Sequence, residues 1–235
     1  LTVASTAIGG LLALKAKDRF HLVLGLSAGL LLGLVGFDLL PEVFKNSETT
    51  GGVPTVSIAI LVGFLLLHIS ERRFGGHEPV DSEYSHDHTH GSIAGGIGAV
   101  AMAGHVFLDG AALGLAFKVS NKLGFAVFIA LLVHAFSDGL NTVSMLVKSG
   151  NWKSTSKMLL IVDAIARIGG AALGTYVTFE GNFVTIYLAL FSGIVIYVAT
   201  SHILPEAHSH HPSRWTFAAT GVGVIAMWLI IGALG

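Results

Sequence analysis

The sequence contains no cysteine among its 235 residues. This absence excludes disulfide bonds, thiolate metal sites and a cysteine nucleophile, and it leaves the redox compartment undetermined. Any metal must therefore be held by histidine, carboxylate or amide groups. The sequence also lacks a basic cluster of the kind that binds nucleic acid, so we expect no nucleic-acid partner.

Charged residues are scarce as well. They make up 11% of the chain, against about 25% in soluble domains. Hydrophobic residues make up 53%, and the mean hydropathy is +0.76. This composition excludes a water-soluble globule and predicts a protein whose partner is the lipid bilayer.

The apolar residues fall into eight stretches separated by short polar loops, at about 1–14, 21–43, 53–71, 92–117, 123–147, 157–178, 183–206 and 214–234. Most are near the ~20 residues that cross a hydrocarbon core. We therefore predict an all-α integral membrane protein with eight transmembrane helices in a single domain, residues 1–235. The first stretch is short, and we interpret it as a truncated first helix and not as a signal peptide.

Lysine and arginine residues are distributed unevenly between the two sets of loops. One set carries only Lys45, Lys118 and Lys122, and the other carries Lys15, Lys17, Arg19, Arg72, Arg73, Lys148, Lys153, Lys157 and Arg214. The positive-inside rule then places both termini outside, in a multi-pass protein of the plasma membrane or the bacterial inner membrane. Two histidine-rich loops would face the cytosol.

A short repeat links the second and seventh spans. The second ends in Leu40-Pro41-Glu42 and the seventh in Leu204-Pro205-Glu206, at an offset of 164 residues. By the loop count, these two helices run in opposite directions. Matching signatures on antiparallel helices are typical of an inverted-topology repeat, with a substrate site near the membrane midplane.

Two copies of a His-x-x-x-Asp-Gly motif lie inside the fourth and fifth spans. The first contains His105 and Asp109, and the second contains His134 and Asp138. Residues four apart share one face of a helix, so each motif presents an imidazole and a carboxylate in the same direction. A short loop makes the two helices antiparallel neighbours. The four side chains would then offer two nitrogens and two oxygens around one point, unless each His simply pairs with its own Asp.

This ligand set suits a borderline divalent cation. Imidazole and carboxylate together favour zinc, iron, manganese, cobalt or cadmium over cuprous ion, which prefers sulfur. An isolated Asp at the bilayer centre costs about 2.5–3.5 kcal/mol on insertion scales, so two of them persist only with a partner.

With these motifs, the sequence resembles the ZIP family, the Zrt- and Irt-like metal transporters. The histidine-rich loop after the third span and the Leu-Pro-Glu endings are similar to that family as well. The resemblance implies eight spans in an inverted 3+2+3 arrangement and uptake of zinc or related divalent ions into the cytosol. The metal would be a transported substrate.

The sequence departs from the family at positions that hold a second metal. The residues after the two motif histidines are Val106 and Ala135, where family members with two adjacent metals carry polar ligands. The sixth span offers Asp163 and, one turn later, Arg167. The sequence leaves open which of these two faces the site, and whether they merely pair with each other.

Further polar residues are candidates for the transport path or for regulation. Asp38 and Glu42 would lie toward the outer face, His202 and Glu206 toward the cytosol, and Asn141 beyond Asp138, although each has an interfacial or packing role as its alternative. The cytosolic loop 72–91 should be disordered without ligand. Two histidine-rich tracts, one in this loop and one after the seventh span, would bind metal loosely. They contain His77, His86, His88, His90, His208, His210 and His211.

This pattern favours transport of a divalent metal ion by alternating access. The site would be formed by His105, Asp109, His134 and Asp138. The alternatives are an intramembrane zinc-dependent hydrolase and a metal-sensing membrane protein that does not transport. A hydrolase needs a general base, and the His-Glu-x-x-His pattern is absent. The oligomeric state is open, with a homodimer among the assemblies to be considered.

Overall fold

The computed structural model describes residues 1–13, 20–45, 47–74, 91–148, 154–178, 182–209 and 214–234. Nearly all of these residues are helical. The α-helices are α1 (Thr2–Ala13), α2 (Phe20–Leu34), α3 (Leu40–Lys45), α4 (Thr55–Phe74), α5 (Gly91–Val119), α6 (Asn121–Lys148), α7 (Ser154–Tyr176), α8 (Phe183–Tyr197), α9 (Leu204–Ser209) and α10 (Arg214–Leu234).

A two-stranded ribbon precedes α4. Strand β1 (Thr49–Thr50) pairs antiparallel with β2 (Val53–Pro54). The two residues between them, Gly51 and Gly52, have φ angles of 61° and 81°. Positive φ at both central residues is the requirement of a type I′ hairpin turn, which glycine meets without strain.

Two pairs of consecutive α-helices are each joined without a break by a π-helical segment. Val35–Leu39 joins α2 to α3, and Val198–Ile203 joins α8 to α9. Each segment lies immediately before a Leu-Pro-Glu sequence. A proline has no N–H, and its ring clashes with the carbonyl four residues earlier in a regular α-helix, so the wider π turn accommodates it.

Three of the described helices are long and apolar enough to cross a membrane: His21–Lys45, Phe183–Ala207 and Arg214–Leu234. Thr55–Ser70 and Asn121–Phe136 are shorter apolar helices. Large apolar side chains are exposed on the outside of the helix bundle, among them Leu61, Ile165 and Trp228. These features support an all-α membrane protein, and the full set of eight spans stays a prediction.

Four helix pairs pack most extensively: α5 with α7, α1 with α6, α2 with α10 and α4 with α8. Glycines at these contacts bring the helix backbones together. A Cβ at Gly29 would overlap the Thr220 carbonyl, and one at Gly193 would overlap the Ile60 carbonyl. Small residues of this kind permit the close packing that holds helices together in lipid.

The apolar core lies between α2, α6 and α8. Its largest fully buried members include Leu31, Leu34, Leu39, Leu131 and Phe191. Helix α6, which carries the second His-x-x-x-Asp-Gly motif, packs most extensively against α1 and also contacts α5, α2 and α10.

Candidate metal site

The site is built on α5 and α6, which are separated by Ser120 alone. The Leu123 N–H donates a 3.1 Å hydrogen bond to Ser120 Oγ. Ser120 thus caps the N-terminus of α6 and satisfies an N–H that has no partner within the helix. The chain reverses at this residue, which brings α5 and α6 into contact.

The four motif side chains converge where α5 and α6 face each other. His105 Nε2 lies 3.3 Å from His134 Nε2 and 3.7 Å from Asp109 Oδ2. His134 Nε2 lies 3.5 Å from Asp138 Oδ1 and 4.0 Å from Asp109 Oδ2. One ligand atom from each residue lies within 4.8 Å of the others. Asp109 and His134 are buried, and His105 and Asp138 are partly buried.

These separations fit a zinc-sized ion. Bonds of about 2.0–2.2 Å in a tetrahedron place ligand atoms about 3.3–3.6 Å apart. The two shortest separations are in this range, and the two between Asp109 and the histidines need a contraction of a few tenths of an ångström. The widest separation in the set, up to 4.8 Å, needs a larger contraction. Asp109 Oδ2 and His134 Nδ1 are also buried without a hydrogen-bond partner among the described residues. A buried carboxylate oxygen that accepts no hydrogen bond needs a cation nearby.

Arg167 of α7 supplies one such cation. Its Nη2 donates a 3.4 Å hydrogen bond to Asp138 Oδ2, and its Nη1 lies 3.7 Å from Asp109 Oδ2. Asp163, one turn earlier on α7, is also buried. Of the two sixth-span residues that the sequence left open, Arg167 contacts both motif carboxylates. In the part of the chain that the structure describes, Asp163 and Arg167 do not form an ion pair with each other.

Glycines bring Arg167 to this position. A Cβ at Gly110 would overlap the Arg167 carbonyl, and a Cβ at Gly170 would overlap the Phe107 carbonyl. The backbones of α5 and α7 therefore touch at the turn of α5 that carries Asp109. The sequence contains a signal for this contact, since small residues four apart occur on both helices, at Gly110 and Gly114 and at Gly170 and Gly174.

Tyr187 of α8 is a neighbour of the site that the sequence analysis missed. Its hydroxyl donates a 2.8 Å hydrogen bond to the Leu108 carbonyl, next to Asp109. This contact fixes α8 against the turn of α5 that carries Asp109. A single tyrosine within an apolar stretch gives no signal of such a role.

The other candidate residues do not join the four-residue cluster. Asp38 is buried in the first π segment. Glu42 forms an ion pair with Lys45 at 2.9 Å. His202 and Glu206 are exposed, and the His202 ring contacts Tyr197 edge-on. Tyr197 in turn lies 3.3 Å from His68 Nδ1.

Several predicted residues cannot be placed in this way. Asn141 lies on α6 and His208 on α9, but their side chains are not among those described. Those outside the described residues altogether are His77, His86, His88, His90, His210 and His211.

Comparison with known proteins identifies the family. The sequence profile of the ZIP Zinc transporter family matches residues 76–231, which include both motifs and α7. The chain belongs to the ZIP family. This membership confirms the resemblance found in the sequence, and it makes the chain one of a family of transporters rather than of enzymes.

The sequence identity to individual relatives is low, but for two of them the similarity extends over most of this chain. The chain is 26% identical to "Zinc transporter YKE4" of Saccharomyces cerevisiae over 85% of this chain and 66% of that protein. It is 24% identical to "Zinc transporter ZIP9-A" of Xenopus laevis over 93% of this chain and 86% of that protein. It is 31% identical to "Zinc transporter ZIP4" of Rattus norvegicus over 54% of this chain, which spans 20% of that protein.

Proposed function

We propose that this chain carries a divalent transition-metal ion across a bilayer into the cytosol. The observation that supports this function is the convergence of four ligand atoms within 4.8 Å on two neighbouring helices of a ZIP family member. The ligands are His105, Asp109, His134 and Asp138. Their side chains are largely shielded from water, so a metal bound there would lie inside the protein.

Zinc is the substrate that the site would bind first, and iron, manganese, cobalt and cadmium are further candidates. Two imidazole nitrogens and two carboxylate oxygens make a ligand set of intermediate softness. The relatives from yeast, frog and rat are all called zinc transporters. The absence of cysteine from the whole chain argues against a cuprous substrate.

An inverted 3+2+3 repeat is the architecture that we propose for transport. The repeat relates α1 to α7, α2–α3 to α8–α9, α4 to α10, and α5 to α6. Under this exchange, the contact of α1 with α6 becomes the contact of α7 with α5. The contact of α2 with α10 likewise becomes that of α8 with α4. Under the proposed repeat, each of the four most extensive helix pairs therefore corresponds to another of the four.

Individual backbone contacts follow the same relation. Gly29 meets the Thr220 carbonyl as Gly193 meets the Ile60 carbonyl, and Gly223 meets the Leu26 carbonyl as Gly63 meets the Leu190 carbonyl. Gly193 and Leu190 come 164 residues after Gly29 and Leu26, whereas Ile60 and Gly63 come 160 residues before Thr220 and Gly223. A chance match of the two Leu-Pro-Glu sequences would not reproduce these contacts.

The two π-helical segments also lie at positions that the proposed repeat relates to each other. The Leu40 N–H donates to the Val35 carbonyl, and the Leu204 N–H donates to the Ala199 carbonyl, again 164 residues later. Helices interrupted at matching points of two inverted halves are typical of carriers that work by alternating access. We therefore propose that the two halves rock about the metal site, with both termini outside.

Residues toward the two mouths would serve the path. Asp38 and Glu42 would receive ions at the outer side, His202 and Glu206 would release them toward the cytosol, and Asn141 would line the passage. The histidine-rich cytosolic tracts would bind released metal and regulate uptake. A homodimer in the plasma membrane or bacterial inner membrane is the assembly that we propose.

Zinc uptake into sealed proteoliposomes tests the proposal. We expect uptake by the wild-type chain, and its loss in His105→Ala and Asp138→Ala, because only three protein ligands would remain and water would have to complete the coordination of the ion. His68→Ala is the matched control, since His68 contacts Tyr197 and lies outside the four-residue cluster. Zinc binding without uptake by the wild-type chain would instead support a metal sensor.

A further inference from the structure

Arg167 contacts both carboxylates of the candidate metal site: at Asp109 it meets the oxygen that faces the histidines, and at Asp138 it meets Oδ2, whereas Oδ1 faces His134. Its Nη1 lies 3.7 Å from Asp109 Oδ2, the same oxygen that faces His105 and His134. Its Nη2 donates to Asp138 Oδ2. A dication would draw both carboxylates toward the two histidines, away from the guanidinium. Arg167 and the metal therefore compete for the same two side chains.

The contacts of Arg167 are long for a charged pair. Hydrogen bonds between ionised groups are usually about 2.7–2.9 Å, whereas the two contacts of Arg167 measure 3.4 and 3.7 Å. Its Nη1 has no hydrogen-bond partner among the described residues, and only 4% of Arg167 is exposed. The guanidinium is attracted to the carboxylates without being fully hydrogen-bonded to them.

Asp163 offers Arg167 a second partner. It lies one helical turn earlier on the same face of α7, and 7% of it is exposed. It is also near enough to Asp138, Arg167 and His105 to interact with them electrostatically. A rotation of the Arg167 side chain along α7 would exchange the two motif carboxylates for Asp163.

We propose that Arg167 is a tethered competing cation that alternates between two sets of carboxylates. In the metal-free site, its guanidinium compensates Asp109 and Asp138. When a dication binds these carboxylates, repulsion drives the guanidinium to Asp163, and its return helps to release the ion. The inference rests on the proposed four-ligand site. It adds a residue that weakens metal binding, so that the carrier can release the ion.

The competition lowers the apparent affinity for metal. The binding-competent state is the one in which Arg167 has left Asp109 and Asp138, and the apparent Kd rises as that state becomes rarer. Removing the guanidinium should therefore tighten metal binding. Removing Asp163 should weaken it, because Arg167 then stays on the motif carboxylates.

The test is titration of Cd²⁺ into the purified full chain in detergent micelles by calorimetry. We expect Arg167→Met to lower the Kd by about tenfold or more, which corresponds to about 1.4 kcal/mol. Arg167→Lys, which keeps the charge, should tighten binding less than Arg167→Met does. Unchanged or weaker binding in Arg167→Met would overturn the proposal, since a residue that merely supports the site cannot tighten binding when it is lost.

Asp163→Asn separates competition from general electrostatics. We expect it to raise the Kd by about tenfold alone and by clearly less in the Arg167→Met background, because most of the effect of Asp163 passes through Arg167. Equal effects in the two backgrounds would contradict the alternation. If Arg167→Met unfolds easily, thermal melts decide instead, since saturating Cd²⁺ should raise its Tm more than that of the wild type. An equal or smaller rise would overturn the proposal.

His105→Ala distinguishes failure of this proposal from failure of the proposed function. We expect His105→Ala to lose Cd²⁺ binding, because it removes a ligand and leaves Arg167 in place. Loss of binding in His105→Ala together with unchanged affinity in Arg167→Met would overturn only the role of Arg167. Wild-type affinity in His105→Ala would overturn the four-ligand site and, with it, the competition.

Discussion

The Nε2 atoms of His105 and His134 lie 3.3 Å apart, with their rings nearly perpendicular. Two imidazole nitrogens at this distance repel each other if both present lone pairs, so they must share either a proton or a cation. Each nitrogen also faces a carboxylate one turn later on its own helix. The pair would thus form one edge of the proposed tetrahedron, in which Asp109 and Asp138 would complete the ligand set.

The first prediction concerns the geometry of the metal-bound protein. We expect a zinc-bound structure to place both Nε2 atoms and one oxygen of Asp109 and of Asp138 at about 2.0–2.2 Å from one ion. A site in which any of the four atoms lies beyond about 3 Å from the metal would contradict this ligand set.

The second prediction concerns the contact between α5 and α7. Gly110→Ala should destabilise the fold by about 1–3 kcal/mol, because its Cβ would overlap the Arg167 carbonyl in a packed interface. The change should also reduce zinc uptake, since it displaces α7 from the turn that carries Asp109. Thermal unfolding and proteoliposome uptake measure the two effects.

Gly104→Ala is the matched control for this prediction. Gly104 lies on the same helix, and a Cβ there meets nothing within 4 Å. Alanine is favoured over glycine in a helix by up to about 1 kcal/mol, so this variant should be as stable as the wild type or slightly more stable. Equal behaviour of the two variants would show that the close approach of α5 and α7 does not matter.

The positions of several helices could be predicted because their apolar stretches have well-defined ends in the sequence. The stretch predicted at 183–206 corresponds to the helix Phe183–Ala207, and that at 214–234 to α10. The reversal between α5 and α6 was expected over a five-residue loop, and the structure needs only Ser120. The convergence of His105, Asp109, His134 and Asp138 follows from i, i+4 spacing on two connected helices, which is local information.

The choice between Asp163 and Arg167 could not be predicted, because it depends on how far α7 is shifted along α5. Their positions one turn apart make both residues candidates for the same face. The glycine contacts at Gly110 and Gly170 fix that shift, and such contacts involve residues far apart in the sequence. The π turns before Pro41 and Pro205 were missed for a different reason, since proline predicts a disturbance of the helix but not its form.

The third prediction concerns the histidine-rich loop. Replacing His77, His86, His88 and His90 with serine should change the apparent affinity or the metal sensitivity of uptake only modestly. A tract that binds metal loosely in the cytosol cannot set the geometry of a site between α5 and α6. Zinc uptake as a function of external zinc is the measurement. A normally folded variant with no uptake at all would place the essential site in the loop.

The fourth prediction is that the core site holds one metal ion. Val106 and Ala135 are buried and offer no ligand atoms, so a second adjacent ion would have too few groups to replace its hydration shell. The positive charge of Arg167 on α7 would also disfavour a second dication near these carboxylates. Anomalous scattering from cadmium-soaked crystals should therefore show one peak between α5 and α6, and two well-occupied peaks would refute this stoichiometry.

Arg167→Glu provides the converse test of stoichiometry. The substitution removes a positive charge that contacts both motif carboxylates and adds a third carboxylate next to them. Asp109, Asp138 and the new side chain could then bridge two ions, so we expect a second cadmium peak beside the first. Arg167→Met is the control, because it removes the charge without adding a ligand and should keep a single peak. A single peak in Arg167→Glu would mean that the apolar residues Val106 and Ala135 alone limit the site to one metal.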